Sequence, residues 1–102
     1  MINNLPLVSV IITTKNEENN IENCLKSVLG QNYPSDKLEI IVVDNFSTDK
    51  TKEVALKYTN KVFDKGPERS AQRNCGVEKS GGIYFLYLDA DMTLDESVIK
   101  DC

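Results

Sequence analysis

Histidine is absent from this chain of 102 residues. That absence removes histidine-dependent nucleophile triads and imidazole metal sites. Only three cysteines occur, Cys24, Cys75 and Cys102. They cannot all pair, and their spacing fits neither a zinc site nor a redox pair. The expectation is reduced thiols in a cytoplasmic protein, with Cys24 and Cys75 as small core residues. Glycine is sparse, and no Gly-x-Gly-x-x-Gly or Walker pattern occurs, which disfavours dinucleotide and P-loop readings. No apolar stretch approaches the roughly 20 residues of a membrane helix. The N-terminus lacks the order of a secretory signal. Clustered basic residues are missing too: the formal net charge is −4, with acids and bases interleaved. A nucleic-acid partner is therefore not expected. The length suits one domain.

What is present alternates between two periods. Leu7 to Thr13 is an apolar, β-branched run and predicts a first strand. Glu18 to Gln31 carries Ile21, Cys24, Leu25, Val28 and Leu29 at helical spacing. Leu38 to Val43 predicts a second strand. Ser47 or Thr48 can cap a helix from about Asp49 to Tyr58. Lys61 to Phe63 predicts a short strand near an edge. Gly66-Pro67 opens a helix running to about Lys79, and Gly81-Gly82 closes it. Ile83 to Leu88 reads as a buried fourth strand, and Leu94 to Cys102 as the start of another helix. Strands without polar alternation are covered on both faces. The fold class is therefore α/β, a Rossmann-like three-layer α/β/α arrangement around a mostly parallel four-stranded sheet.

In such a sheet, ligands bind beyond the carboxyl ends of the strands. Those ends carry Thr13-Thr14-Lys15-Asn16-Glu17, then Asp44-Asn45-Phe46-Ser47-Thr48-Asp49, then Asp89-Ala90-Asp91. Asp89 and Asp91 are two apart after an apolar run, so they can converge on one ligand. Two clustered carboxylates repel unless a cation or a hydrogen-bonded group lies between them. Hard oxygen ligands suit Mg²⁺ or Mn²⁺, with substrate phosphates completing the shell. The plain alternative is a strand-end turn with two solvated acids. Glu17 and Glu18 either contact a ligand or favour the start of the first helix through its dipole. Asp44 either faces a nucleotide pocket or caps a turn. Arg69 and Arg73 are four apart on one helix face, suited to phosphate oxygens or to a solvated surface. Gly76 within that helix costs about 1 kcal/mol relative to Ala, which suggests a close backbone approach.

Four blocks carry a resemblance: Val8 to Glu18, Ile41 to Asp49, Arg73-Asn74-Cys75-Gly76, and Leu88-Asp89-Ala90-Asp91. In order and spacing the chain resembles the family 2 glycosyltransferases of the GT-A fold, as the N-terminal, nucleotide-sugar-binding portion, and the blocks span nearly all of it. The resemblance implies a nucleotide-diphosphate-sugar donor, with a UDP-sugar expected first, and Mg²⁺ or Mn²⁺ as cofactor. It implies that Thr14 and Glu17 contact the nucleotide, that Asp44 hydrogen-bonds the base, and that Arg73 lies beside the donor. It makes Asp91 a metal ligand and places Asp89 at the metal and near the ribose or sugar. Lys15 stands where Tyr or Arg is usual, Thr13 where Pro is common, and Asn45-Phe46 where Asp-Gly is usual. The implied reaction is transfer of a glycosyl group to an acceptor hydroxyl. The inverting base would follow the Asp-x-Asp motif, beyond Cys102, so the catalytic residue and the acceptor are unassigned. The chain reads as a single donor-binding domain over residues 1–102, the first half of a longer enzyme that could act at the cytoplasmic face of a membrane.

Two rivals stand beside this reading. A sugar-phosphate nucleotidyltransferase would show a glycine-rich loop with a basic residue after its first strand, where this chain has Thr-Thr-Lys-Asn-Glu. A non-catalytic nucleotide-binding or interaction module would keep the fold alone. A four-stranded open sheet also leaves an edge, so self-association is expected.

Overall fold

The computed structural model describes residues 6–81 and 84–94. Four strands form one sheet: β1 (Val8–Thr14), β2 (Leu38–Asp44), β3 (Val62–Asp64) and β4 (Tyr84–Asp89). Their spatial order is β3-β2-β1-β4, and every pairing is parallel. The chain steps outward from β1 through β2 to β3, then crosses to the other side of β1. The order therefore reverses between β1 and β4, which is where an open α/β sheet parts to form a crevice. In register, Thr13 faces Asp89 and Thr14 faces Asp44. Two carboxylates thus flank the last two residues of the central strand.

Helices cover both faces, giving the expected three layers. Helix α1 (Ile21–Leu29) buries Ile21, Cys24, Leu25 and Val28. These pack with Ala55 of α2 (Thr51–Ala55) against Val10, Ile12, Ile40, Val42 and Leu88. Each Val, Leu or Ile among them, once removed from water, contributes about 1.5–3 kcal/mol. On the opposite face, α3 (Arg69–Glu78) sets Cys75 against Ile11, Ile41 and Val43. Cys24 and Cys75 are both buried free thiols.

Several expectations are corrected in detail. The first helix begins at Ile21 rather than Glu18, because Glu17 O takes the amides of Asn20 and Ile21 in a preceding turn. The second helix is five residues long. Its start falls later because Ser47 serves Asp44 and Asn16, while Asp49 accepts from the amide and hydroxyl of Thr51. Its end tightens through three-residue bonds from Lys57 to Val54 and from Tyr58 to Ala55. Pro67 precedes the third helix rather than sitting in its first turn, because Glu68 is extended at φ −85°, ψ 139°. The fourth strand is buried only at Leu88: Tyr84, Phe85 and Tyr87 are exposed on it, since β4 is a sheet edge. Ile83 and most of the helix expected over 94–102 lie outside the described residues. Among the described residues, no helix is long and apolar enough to cross a membrane.

Candidate functional site

At the carboxyl ends of the strands lies a cleft of about 260 Å³. Thr13, Thr14, Lys15 and Glu17 line it from the end of β1, and Asn45 from the end of β2. Pro67, Arg69 and Gln72 close it from the start of α3, and Asp89, Ala90 and Asp91 from the end of β4. Of the residues the sequence nominated, Thr14, Glu17, Asp89 and Asp91 are therefore brought together, and Asp44 and Arg73 are not.

The two loops that carry the cleft brace each other. Asn16 takes a left-handed φ of 52°. Its backbone amide donates to Ser47 Oγ at 2.8 Å, and its side-chain oxygen accepts from the Thr48 amide at 2.8 Å. The Glu17 amide donates to Thr51 Oγ1 at 2.8 Å, and the Glu18 amide to Asp49 Oδ2 at 3.2 Å. Burial alone would push the Asp49 carboxyl up, but the Thr51 and Glu18 bonds outweigh it and hold it below the usual carboxylate range. Behind them, the fully buried Asp44 accepts from the amide of Ser47 at 2.9 Å and from its hydroxyl at 2.5 Å. The Asp44 side chain thereby closes the turn that follows β2, bonding three residues ahead. Both carboxylate oxygens are thus turned to Ser47, and the neighbouring Asn45 faces the cleft instead.

Gln72 is the residue that sequence reasoning missed. It is buried, and its side-chain nitrogen donates to Val43 O at 2.8 Å and to Thr14 O at 3.4 Å. One amide thereby ties the ends of β1 and β2 to α3. The signal was its position: Gln72, Cys75 and Gly76 share helical spacing on the inward face. Arg73 stacks 5.6 Å over the Tyr87 ring, below the rim. Arg69, one turn earlier, reaches Asp89 with Nη1 at 3.3 Å from Oδ2. The two arginines do share a face, and it lies along β4.

The charges in the cleft are sorted. The Thr13 hydroxyl donates to Asp89 Oδ1 at 2.9 Å while Arg69 holds Oδ2. Asp91 is exposed in the following turn, where the Met92 amide returns to Asp89 O at 2.9 Å. Cys24 lies beneath both acids: burial first, then the charges of Asp91 and Asp89, push its thiol up to about 11. Among the described residues, no group of three or more acidic, cysteine or histidine side chains could form a protein-only metal cage. Two carboxylates and an open cleft are nonetheless the donor set Mg²⁺ or Mn²⁺ accepts when phosphate oxygens and water complete the shell. Thr14 adds a second sign of a ligand. It is 5% exposed and lines the cleft, and its Oγ1 has no hydrogen-bond partner. Buried hydroxyls are rarely left so, and each one needs an explanation.

The sequence of residues 9–102 matches the model of Glycosyl transferase family 2. Glycosyltransferase AglE of Haloferax volcanii is 42% identical over 98 residues, covering 89% of this chain and 32% of that protein. The poly(ribitol-phosphate) β-N-acetylglucosaminyltransferase TarS of Staphylococcus aureus is 33% identical over 102 residues, covering 91% of this chain and 18% of that one. The chain thus spans about a third or less of these relatives. A structure of TarS residues 1–349 with UDP superposes with a TM-score of 0.82 at 32% identity, over 92% of this chain and 30% of that one. A TarS structure with UDP-GlcNAc gives 0.78 at 33% identity, over 92% and 29%. The mannosyltransferase PcManGT of Pyrobaculum calidifontis, with GDP-Man and Mn²⁺, gives 0.77 at 31% identity, over 86% and 28%.

Proposed function

This chain belongs to glycosyl transferase family 2, and from that premise we propose that it is the donor- and cation-binding portion of an enzyme that moves a sugar from a nucleotide diphosphate onto an acceptor hydroxyl. The observation that carries the reading is the pairing of Asp89 and Asp91 in one cleft with the unpartnered hydroxyl of Thr14. Neutral hydrogen-bonding groups, Thr14 and Asn45, suit an uncharged nucleoside. The charged groups, Arg69, Asp89 and Asp91, suit a diphosphate with a divalent cation. Glu17 lines the same cleft and accepts from the Asn20 side chain at 2.9 Å, which fixes its carboxylate for a polar contact.

Asp89 and Asp91 would hold the cation, which when bound supplies Lewis-acid stabilisation of the departing diphosphate. Thr13 keeps Asp89 in place through its hydroxyl, and Gln72 fixes the backbone ends that present Thr14 and Asn45. Both act before any chemistry, by holding groups where the donor arrives. Uracil is the base favoured here, because TarS structures hold UDP and UDP-GlcNAc. Acceptor binding and the base that deprotonates the acceptor belong, on this reading, to parts of the relatives that this chain does not span.

Calorimetric titration with UDP and with GDP, each with and without Mn²⁺, tests the proposal. The expected result is Mn²⁺-dependent binding of UDP, weakened about tenfold or more by Asp91→Ala, the loss of one charge-assisted ligand. Binding of no nucleotide under any condition would favour an interaction module. Nucleotide binding indifferent to Mn²⁺ and to Asp91 would equally overturn it.

A further inference from the structure

The geometry points to Arg69 as an exchangeable partner: it holds Asp89 while the donor is absent, and releases it to grip the diphosphate when the nucleotide arrives. This rests on the donor-site reading above and adds to it a residue that couples cation loading to nucleotide binding.

Asp89 is the acid most fully engaged in the cleft. Thr13 donates to one of its oxygens, and Arg69 covers the other at 3.3 Å. The Thr13 bond fixes the carboxylate and leaves its charge available. The Arg69 contact neutralises that charge and occupies the oxygen a cation would use. Two features make the contact easy to give up. The Arg69 side chain is 67% exposed, and an ion pair so exposed contributes little to stability. Its distance is also longer than the 2.7–2.9 Å of a strong charge-assisted hydrogen bond.

A better partner for the guanidinium would enter the same cleft. Diphosphate oxygens match its planar fork in two-pronged fashion, which a single Asp89 oxygen at 3.3 Å does not. Arg69 is also the first residue of α3, a helix of ten residues. The amides of that first turn have no partners within the helix, so the same end of the cleft already favours an anion. Arg73 cannot do this work from its place over Tyr87. The exchange therefore belongs to Arg69, and it frees Asp89 only once a phosphate is there to replace it. Cation alone must compete with Arg69, whereas cation with nucleotide does not.

The consequence is a pair of effects of opposite sign. In Arg69→Gln, Mn²⁺ alone binds more tightly, about two- to fivefold, the upper part of the range an exposed ion pair allows. The same variant binds UDP in saturating Mn²⁺ about tenfold more weakly, because two charge-assisted bonds are lost. Mn²⁺ binding is read from the free-ion resonance signal, UDP binding by calorimetry, and folding by circular dichroism. Arg69→Lys restores part of the UDP affinity and most of the competition with Mn²⁺. With Asp89→Asn in the background, Arg69→Gln no longer tightens Mn²⁺. Loss of both affinities in folded Arg69→Gln, or no change in either, overturns the exchange. If the unaltered chain binds neither Mn²⁺ nor UDP, the donor-site reading itself fails. If it binds both and Arg69→Gln is silent, only this inference fails.

Discussion

A Cβ built on Gly76 of α3 would lie 2.5 Å from Cγ2 of Ile11 in the central strand. Ile11 is fully buried, so it has nowhere to move. This contact explains why the helix accepts a residue that costs about 1 kcal/mol in intrinsic propensity. Gly76→Ala sets the two effects against each other. The propensity gain is about 1 kcal/mol, and overpacking a tight core costs about 1–3 kcal/mol. The expected outcome is a lower urea midpoint, with the third layer pushed off the sheet. A midpoint equal to or above that of the unaltered chain would show that α3 floats freely on β1.

Asp44 and its neighbour Asn45 separate folding from binding. Asp44→Ala leaves the Ser47 amide and hydroxyl without their acceptor in a partly buried place, at a cost of about 1 kcal/mol. The folded fraction should still bind UDP within about twofold, since Asp44 makes no contact with the cleft. Asn45→Ala should do the reverse: a small change in urea midpoint and a several-fold weaker UDP affinity. Denaturation and calorimetry on the same two variants decide it. Asp44→Ala that folds normally and loses UDP would make Asp44 the base-contacting acid that the resemblance implies.

The layer order, the parallel sheet and the rim were legible in the sequence because burial on two faces writes continuous apolar runs, such as Val10-Ile11-Ile12 and Ile41-Val42-Val43. Which residue of each rim cluster faces the cleft was not legible. Asp44 and Asn45 are adjacent and both polar, and only the pair of bonds from Ser47 to Asp44 separates them, one turned inward and the other to the ligand side. Arg69 and Arg73 carry the same charge one helical turn apart. The height of the rim relative to α3 divides them, and no local pattern records it. The exposure of Tyr84, Phe85 and Tyr87 on β4 was masked by a run that reads like a central strand.

Glu39 gives the fold a defined acid dependence. Burial tends to raise its carboxyl, but bonds from Lys61, the Gly81 amide and the Ser9 hydroxyl prevail and hold it below the ordinary range. A folded value below the unfolded one gives stability that is full well above the unfolded value of about 4.3. That stability is lost as pH falls from there through the lower folded value. Glu39→Gln should therefore destabilise at pH 7, and the gap to the unaltered chain should narrow as pH falls below about 4.3. Urea midpoints across that range test it. A gap that stays constant with pH would mean that Glu39 acts through packing rather than charge.

Phe46 stores strain in the turn after β2. Its φ is 48°, in the left-handed region, while the residue is 61% exposed. A side chain in that conformation costs about 1–2 kcal/mol, and glycine escapes the penalty. The exposed ring offers little burial to offset it. Phe46→Gly should stabilise the chain, even though glycine gives the unfolded state more freedom. Phe46→Ala is the control, since it removes the ring and keeps the Cβ that clashes. The glycine variant should exceed the alanine variant by about 1 kcal/mol in urea denaturation. Equal midpoints for the two would mean that the turn at 45–46 does not hold a left-handed residue in solution.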